Sequence, residues 1–189
     1  MISADNLKLT FGQGTPLENP ALRGMSLTVH QGEFVTVIGS NGAGKSTFLN
    51  ALAGEVLVDS GRIEVDGQDV TRLPTHRRAH RVARVFQDPL AGTCEGLTIE
   101  ENLALAIKRG QRRWLSAAVK RSYMDRFRTA LAKLNLGLEN RLGDKMGLLY
   151  GGQRQAVSLL MASLTPSAIL LLDEHTAALD PKTAAFVME

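Results

Sequence analysis

The chain has 189 residues, 44% of them hydrophobic and 22% charged, which is ordinary globular usage with enough length to bury a substantial core and excludes a disordered polymer. A single cysteine, Cys94, excludes an intrachain disulfide framework and a cysteine-only metal site, while the net charge of +3 accommodates an anionic ligand or membrane surface without requiring one. No apolar run approaches the roughly 18 residues of a membrane span and the N-terminus lacks a signal-peptide pattern, so the chain is expected to be cytosolic, with any membrane association through a partner.

Taken in order, residues 7–11 and 26–29 are short β-like runs separated by a Gly- and Pro-bearing segment, residues 12–20. Gln31 and Gly32 form a turn into residues 34–38, a β-rich apolar run that predicts a strand buried on both faces. Next come Gly39, Ser40, Asn41, Gly42, Ala43, Gly44, Lys45, Ser46 and Thr47, which fit the phosphate-loop pattern G-x-x-x-x-G-K-[ST]. Phe48, Leu49 and Leu52 follow at helical spacing. Glycines at 39, 42 and 44 allow successive N–H groups to converge on phosphate oxygens, and the new helix points the positive end of its dipole at the same anion. Lys45 supplies a mobile charge for the β- and γ-phosphates and the Ser46 hydroxyl is a natural Mg²⁺ ligand, so nucleotide binding is expected.

Past that helix, residues 62–65 read as a strand and Asp66-Gly67 as a hairpin-type turn, making this region largely antiparallel. Residues 81–86 are a further strand closed by Gln87, Asp88 and Pro89. From Leu97 the pattern is helical. Thr98 with Glu101 is a capping box, and a second helix is expected from about Trp114 to Leu134. The stretch 108–128 carries Lys108, Arg109, Arg112, Arg113, Lys120, Arg121, Arg126 and Arg128 against Asp125 alone; it reads as a solvated face, or as a contact for anionic lipid or an acidic partner. Only Trp114 and Tyr123 interleave with these charges, which disfavours a nucleic-acid surface. A Gly151-Gly152-Gln153 helix start follows Leu149 and Tyr150. The apolar run 168–172 then ends in Asp173 and Glu174, a strand that fixes acids beside a phosphate site. Asp180 and Pro181 read as an N-cap and first helical position.

Three of these motifs, in this order, resemble the nucleotide-binding domain of ABC transporters. Residues 39–47 match the family's Walker A, LYGGQ its LSGGQ signature, and ILLLDE its Walker B with the following glutamate; residues 86–89 resemble the Q-loop and AALD the D-loop. The resemblance implies an α/β fold. Its core would be a P-loop NTPase, mainly a parallel sheet with flanking helices, with an N-terminal antiparallel β-subdomain and an inserted helical subdomain at about 90–165, all within one ABC-type ATP-binding domain over 1–189. It also implies that two such domains sandwich two ATP molecules head to tail, each ATP lying on the Walker A of one subunit against Tyr150, Gly151, Gly152 and Gln153 of the other. Phe11 stands where the family places an adenine-stacking aromatic, Glu174 would be the general base, and Ser46, Gln87 and Asp173 would attend Mg²⁺. A membrane permease and a paired ABC ATPase subunit or second copy are the implied partners, with a solute-binding protein if the system imports and no nucleic acid. The implied site of action is the inner face of the cell membrane.

The sequence departs from the family at Tyr150, where a serine is expected, at Ala177 for the D-loop serine, and at His175 after the glutamate. The chain also ends at Glu189, inside a helix without a stop signal and before the family's switch histidine, which reads as a domain incomplete at its C-terminus. The leading expectation is therefore an ATP-hydrolysing importer subunit. A nucleotide-binding subunit impaired in hydrolysis and a non-transport ABC ATPase are its rivals, the latter opposed by the absence of sustained heptads between Lys45 and Gly151.

Overall fold

Alternating apolar positions at the start of the chain form strand β1 (Ile2–Phe11), with Ile2, Ala4, Leu7 and Leu9 buried. The pairs 2/4 and 7/9 are out of phase with each other. A register shift between Ala4 and Leu7, with Asn6 at φ 47°, returns the second pair to the buried face. The computed structural model describes residues 1–111, 119 and 121–173. In it β1 pairs antiparallel with β2 (Asn19–Val29) on one side and β3 (Ser60–Val65) on the other. A short β4 (Gln68–Asp69) completes the order β2-β1-β3-β4. The β3–β4 connection is the tight turn expected at Asp66-Gly67, with φ 50° and 71° at the two residues; positive φ at both central positions is what a type I′ hairpin needs.

Described residues divide into two units. The first is Met1–Ala83 with Ser167–Leu171, and the second is Arg84–Pro166 with the residues from 172 on. In the first, helix α1 (Lys45–Ala53) buries Phe48, Ala51, Leu52 and Ala53 in one cluster with Leu7, Leu22, Ile63 and Val65 of the sheet. The C-terminal end of α1 is held by an arginine. Arg78, the last residue of the one-turn helix α2 (Thr75–Arg78), is 1% exposed. Its guanidinium donates to the carbonyls of Ala51 (2.7 Å), Leu52 (3.0 Å), Thr71 (3.0 Å) and Leu73 (2.7 Å). Burial draws its pKa below the ordinary arginine value, and four carbonyl acceptors offset the desolvation.

Strands β5 (Val82–Val85) and β6 (Ile169–Leu172) form a second, two-stranded sheet. The Arg81 carbonyl accepts from the Ala168 N–H at 2.7 Å and the Val85 carbonyl from the Asp173 N–H at 3.2 Å, so the strands advance together and the pair is parallel. Residues 34–38, expected as a buried strand, are not one. Phe34 is 66% and Ile38 89% exposed, and the segment is irregular. An apolar run marks a strand only where a neighbour takes up its backbone N–H and C=O groups, and no described strand pairs with this one.

The second unit is helical: α3 (Ile99–Ile107), α4 (Arg121–Ala132) and α5 (Gly151–Ser163) bury Leu103, Phe127, Leu131, Ala156 and Val157 in a core of their own. The capping box read from the sequence is formed: Thr98 Oγ1 accepts from the Glu101 N–H at 3.2 Å and Glu101 Oε2 from the Thr98 N–H at 2.7 Å. The expected start of the second helix at Trp114 lies outside the described residues, as do Arg112, Arg113 and Lys120. Among the described residues, no helix is long and apolar enough to cross a membrane.

Candidate nucleotide site

The phosphate loop leads directly into α1. Gly44 caps the helix in the left-handed region at φ 88°, and a Cβ there would lie 2.5 Å from the Ala21 carbonyl oxygen of β2, so conformation and space both demand glycine. Gly39 has no positive φ; what it provides is room, since a Cβ there would come within 3.1 Å of the Ala43 side chain. Lys45 bends back along the loop, its ammonium donating to the carbonyls of Gly39 (2.7 Å) and Ser40 (3.0 Å). Gly39, Ser40, Asn41, Gly42, Ala43 and Ser46 are exposed, Gly44, Lys45 and Thr47 half-buried. A charged ammonium and the free N–H groups of a helix start thus face solvent together, which is the chemistry of an anion site.

Phe11 ends β1, is 42% exposed, and pairs in register with Asn19 at the start of β2. Two residues along β2, Ala21 is the residue against which Gly44 rests. One strand of the first unit therefore connects the aromatic to the phosphate loop.

The remaining described candidates belong to the second unit. Asp173 follows β6, and its carboxylate forms a 3.1 Å ion pair with Arg84 of β5, both side chains being about nine-tenths buried. The Arg84 guanidinium lies 4.7 Å from the centre of the Phe86 ring. Gln87, just past β5, is exposed. Tyr150 is the N-cap of α5 and 80% exposed. Its backbone N–H donates to Gln153 Oε1 at 3.3 Å while its phenol makes no capping bond, and Gly151 and Gly152 are exposed in the first turn. Glu174, His175, Ala177, Asp180 and Pro181 lie outside the described residues.

Three residues that motif reading passed over shape this second group. Arg109, expected on a solvated face, is half-buried, while Arg126 is exposed as expected, and both reach the far end of α5. Arg109 donates to the carbonyls of Ala162 (3.2 Å) and Thr165 (3.0 Å), and Arg126 to that of Leu164. Burial draws the Arg109 pKa below its ordinary value. Asn102, 1% exposed, ties down the loop before α3: its Oδ1 accepts from the Cys94 N–H at 2.8 Å and its Nδ2 donates to the carbonyls of Cys94 (3.0 Å) and Thr98 (2.9 Å). The signal for Asn102 was present, an amide at a core-facing position of an otherwise apolar helix.

Comparison with known proteins agrees with this geometry. The family model described as "ABC transporter" matches residues 22–177. The tyrosine transport ATP-binding protein of Clostridioides difficile is 42% identical across the whole of this chain, which spans 75% of that protein's length. The methionine import ATP-binding protein MetN of Caulobacter vibrioides is 35% identical over 192 aligned positions, and there the chain spans 54% of the relative. Among solved structures, the dimeric ATP-binding cassette MJ0796 bound to ADP and phosphate superposes with a TM-score of 0.83 at 29% identity, covering 100% of this chain and 80% of that one. The expected α/β P-loop architecture, with its antiparallel N-terminal sheet, parallel strands and inserted helices, is thereby the fold found.

Proposed function

This chain belongs to the ABC transporter family, as a subunit that binds and hydrolyses ATP and pairs with a second nucleotide-binding domain to power transport, and we propose that the transport is import. The observation that carries the nucleotide reading is the Gly44-capped start of α1 with the Lys45 ammonium folded along the loop before it. On ATP binding that ammonium exchanges two carbonyl acceptors for β- and γ-phosphate oxygens, while the loop's N–H groups take the remaining charge. Phe11 stacks on the adenine. The far side of the γ-phosphate meets the α5 start of the second subunit, where two exposed glycines leave backbone N–H groups accessible. Glu174 polarises the attacking water.

Magnesium suits the donors present. Ser46 offers an exposed hydroxyl, and Asp173 offers a carboxylate whose Oδ1 has no hydrogen-bond partner among the described residues. Mg²⁺ at such a site is held by one carboxylate, a hydroxyl, water and the nucleotide's phosphates. When bound, the ion neutralises charge developing on the β- and γ-oxygens. Ser46 and Asp173 would hold it and Gln87 would contact its shell, while the inserted helical region, about 90–165, links Gln87 to α5.

Import is supported by relatives whose names state it, for methionine and for thiamine. On this reading the chain works with a permease at the inner face of the cell membrane, to which an importer adds a solute-binding protein outside. Tyrosine is the solute to try first, given the 42% identical relative. Equilibrium binding of Mg-ATP to the chain and to its Lys45→Ala variant tests the site. The variant is expected to bind at least about tenfold more weakly, the loss of roughly one charge-assisted contact; equal affinity would remove Lys45 from the nucleotide.

A second reading, a subunit that binds ATP but turns it over poorly, is favoured by one observation. Tyr150 stands 80% exposed at the N-cap of α5, where the family's serine would meet the γ-phosphate.

A further inference from the structure

We propose that Arg84 is a positioning residue that competes with Mg²⁺ for Asp173 and so sets the metal concentration at which the nucleotide site fills. This rests on the reading of Asp173 as the metal's carboxylate. Arg84 sits on β5, three residues before Gln87, and its Nη2 donates to Asp173 Oδ2 at 3.1 Å across the β5–β6 pair. Both side chains are largely withdrawn from water, at 10% and 14% exposure, so the contact is far stronger than a surface ion pair, and the carboxylate it neutralises would be costly to leave alone.

Geometry gives the guanidinium little freedom to leave. The Phe86 ring lies beneath it at 4.7 Å, and the Val85 carbonyl fixes the Asp173 backbone, so both charges are carried by hydrogen-bonded strands. Among the described residues only Oδ2 is engaged, so Oδ1 is the atom a metal would take. A divalent ion on Oδ1 therefore sits close to a guanidinium held on Oδ2, and the repulsion between the two cations opposes metal binding unless nucleotide phosphates arrive with it. Arg84 thus leaves the carboxylate poorly receptive to Mg²⁺ alone, while phosphates arriving with the metal offset the repulsion. The same residue joins the strand that feeds Gln87 to the carboxylate at the end of β6, so occupancy at Asp173 is felt at the root of the Q-loop.

The test is a Mg²⁺ titration of ATP affinity, read with trinitrophenyl-ATP on the full chain. Removing the guanidinium by Arg84→Met is expected to lower the half-saturating Mg²⁺ about fivefold while leaving metal-free nucleotide affinity within about twofold, and Arg84→Lys, which keeps the charge, should stay close to the parent. Should Arg84→Met not fold, Phe86→Leu loosens the same guanidinium and is expected to shift the Mg²⁺ midpoint in the same direction. An unchanged or raised midpoint in the folded variant overturns the proposal. Asp173→Asn separates the two layers of the argument. If it retains the parent's Mg²⁺ enhancement, Asp173 is not the metal's carboxylate; if it abolishes the enhancement while Arg84→Met leaves the midpoint in place, only the role of Arg84 falls.

Discussion

Tyr150 occupies a position whose local physics asks for a different residue. An N-cap favours a short side chain whose oxygen can reach back to the N–H groups of the first turn, and the phenol of Tyr150 makes no such bond. With Gln153 already accepting from the Tyr150 N–H, serine at 150 would complete a reciprocal capping box. Tyr150→Ser is therefore expected to stabilise the chain by about 1 kcal/mol in a denaturant melt. It should also raise ATP turnover, because a hydroxyl close to the backbone can meet the second subunit's γ-phosphate where a ring cannot. A more stable variant with an unchanged rate would show that the phenol does not stand in the path of the phosphate.

At the scale of elements, α1 depends on Arg78 as much as on its own sequence. Its last carbonyls are taken up by a guanidinium from α2, and the helix also carries Lys45 and Ser46 at its other end. Arg78→Met should cost about 3 kcal/mol or more of unfolding free energy, since it strips charged donors from buried carbonyls, and it should weaken Mg-ATP binding by loosening the helix that carries Lys45 and Ser46. A melt unchanged to within about 0.5 kcal/mol would mean water replaces the guanidinium at no cost. Elements specified by neighbours in sequence were legible before any coordinates: the Asp66-Gly67 turn, the Thr98/Glu101 box, the phosphate loop and the start of α5. What depended on distant partners was not. Residues 34–38 carry a strand's composition without a described strand to pair with. The burial of Arg78 has no signal in its sequence neighbours, and Arg84 and Asp173 meet across 89 residues of chain. Arg109 looks like its exposed neighbours until the end of α5 is in place.

For the whole molecule, the proposed pairing has the α5 start complete a site on another subunit, which would make hydrolysis a property of two copies or of a copy and its paired ATPase. Specific ATPase activity of the isolated chain should rise with protein concentration. Glu174→Gln, which on the proposed reading removes the base, should accumulate an ATP-bound species of twice the mass on gel filtration. A species that stays monomeric with saturating Mg-ATP would argue that pairing requires the permease. The two arginines at the end of α5 bear on how such a pair could be driven. Thirteen helical residues make a rod about 20 Å long. One end is clamped by guanidiniums from just beyond α3 and from α4; the other carries the glycines. A tilt of about 5° imposed at the clamped end displaces the glycine end by nearly 2 Å, enough to make or break a hydrogen bond to phosphate. If the α5 start meets nucleotide as proposed, a mechanical load on the surface of α3 or α4 would be converted into the opening or closing of that contact a full helix length away.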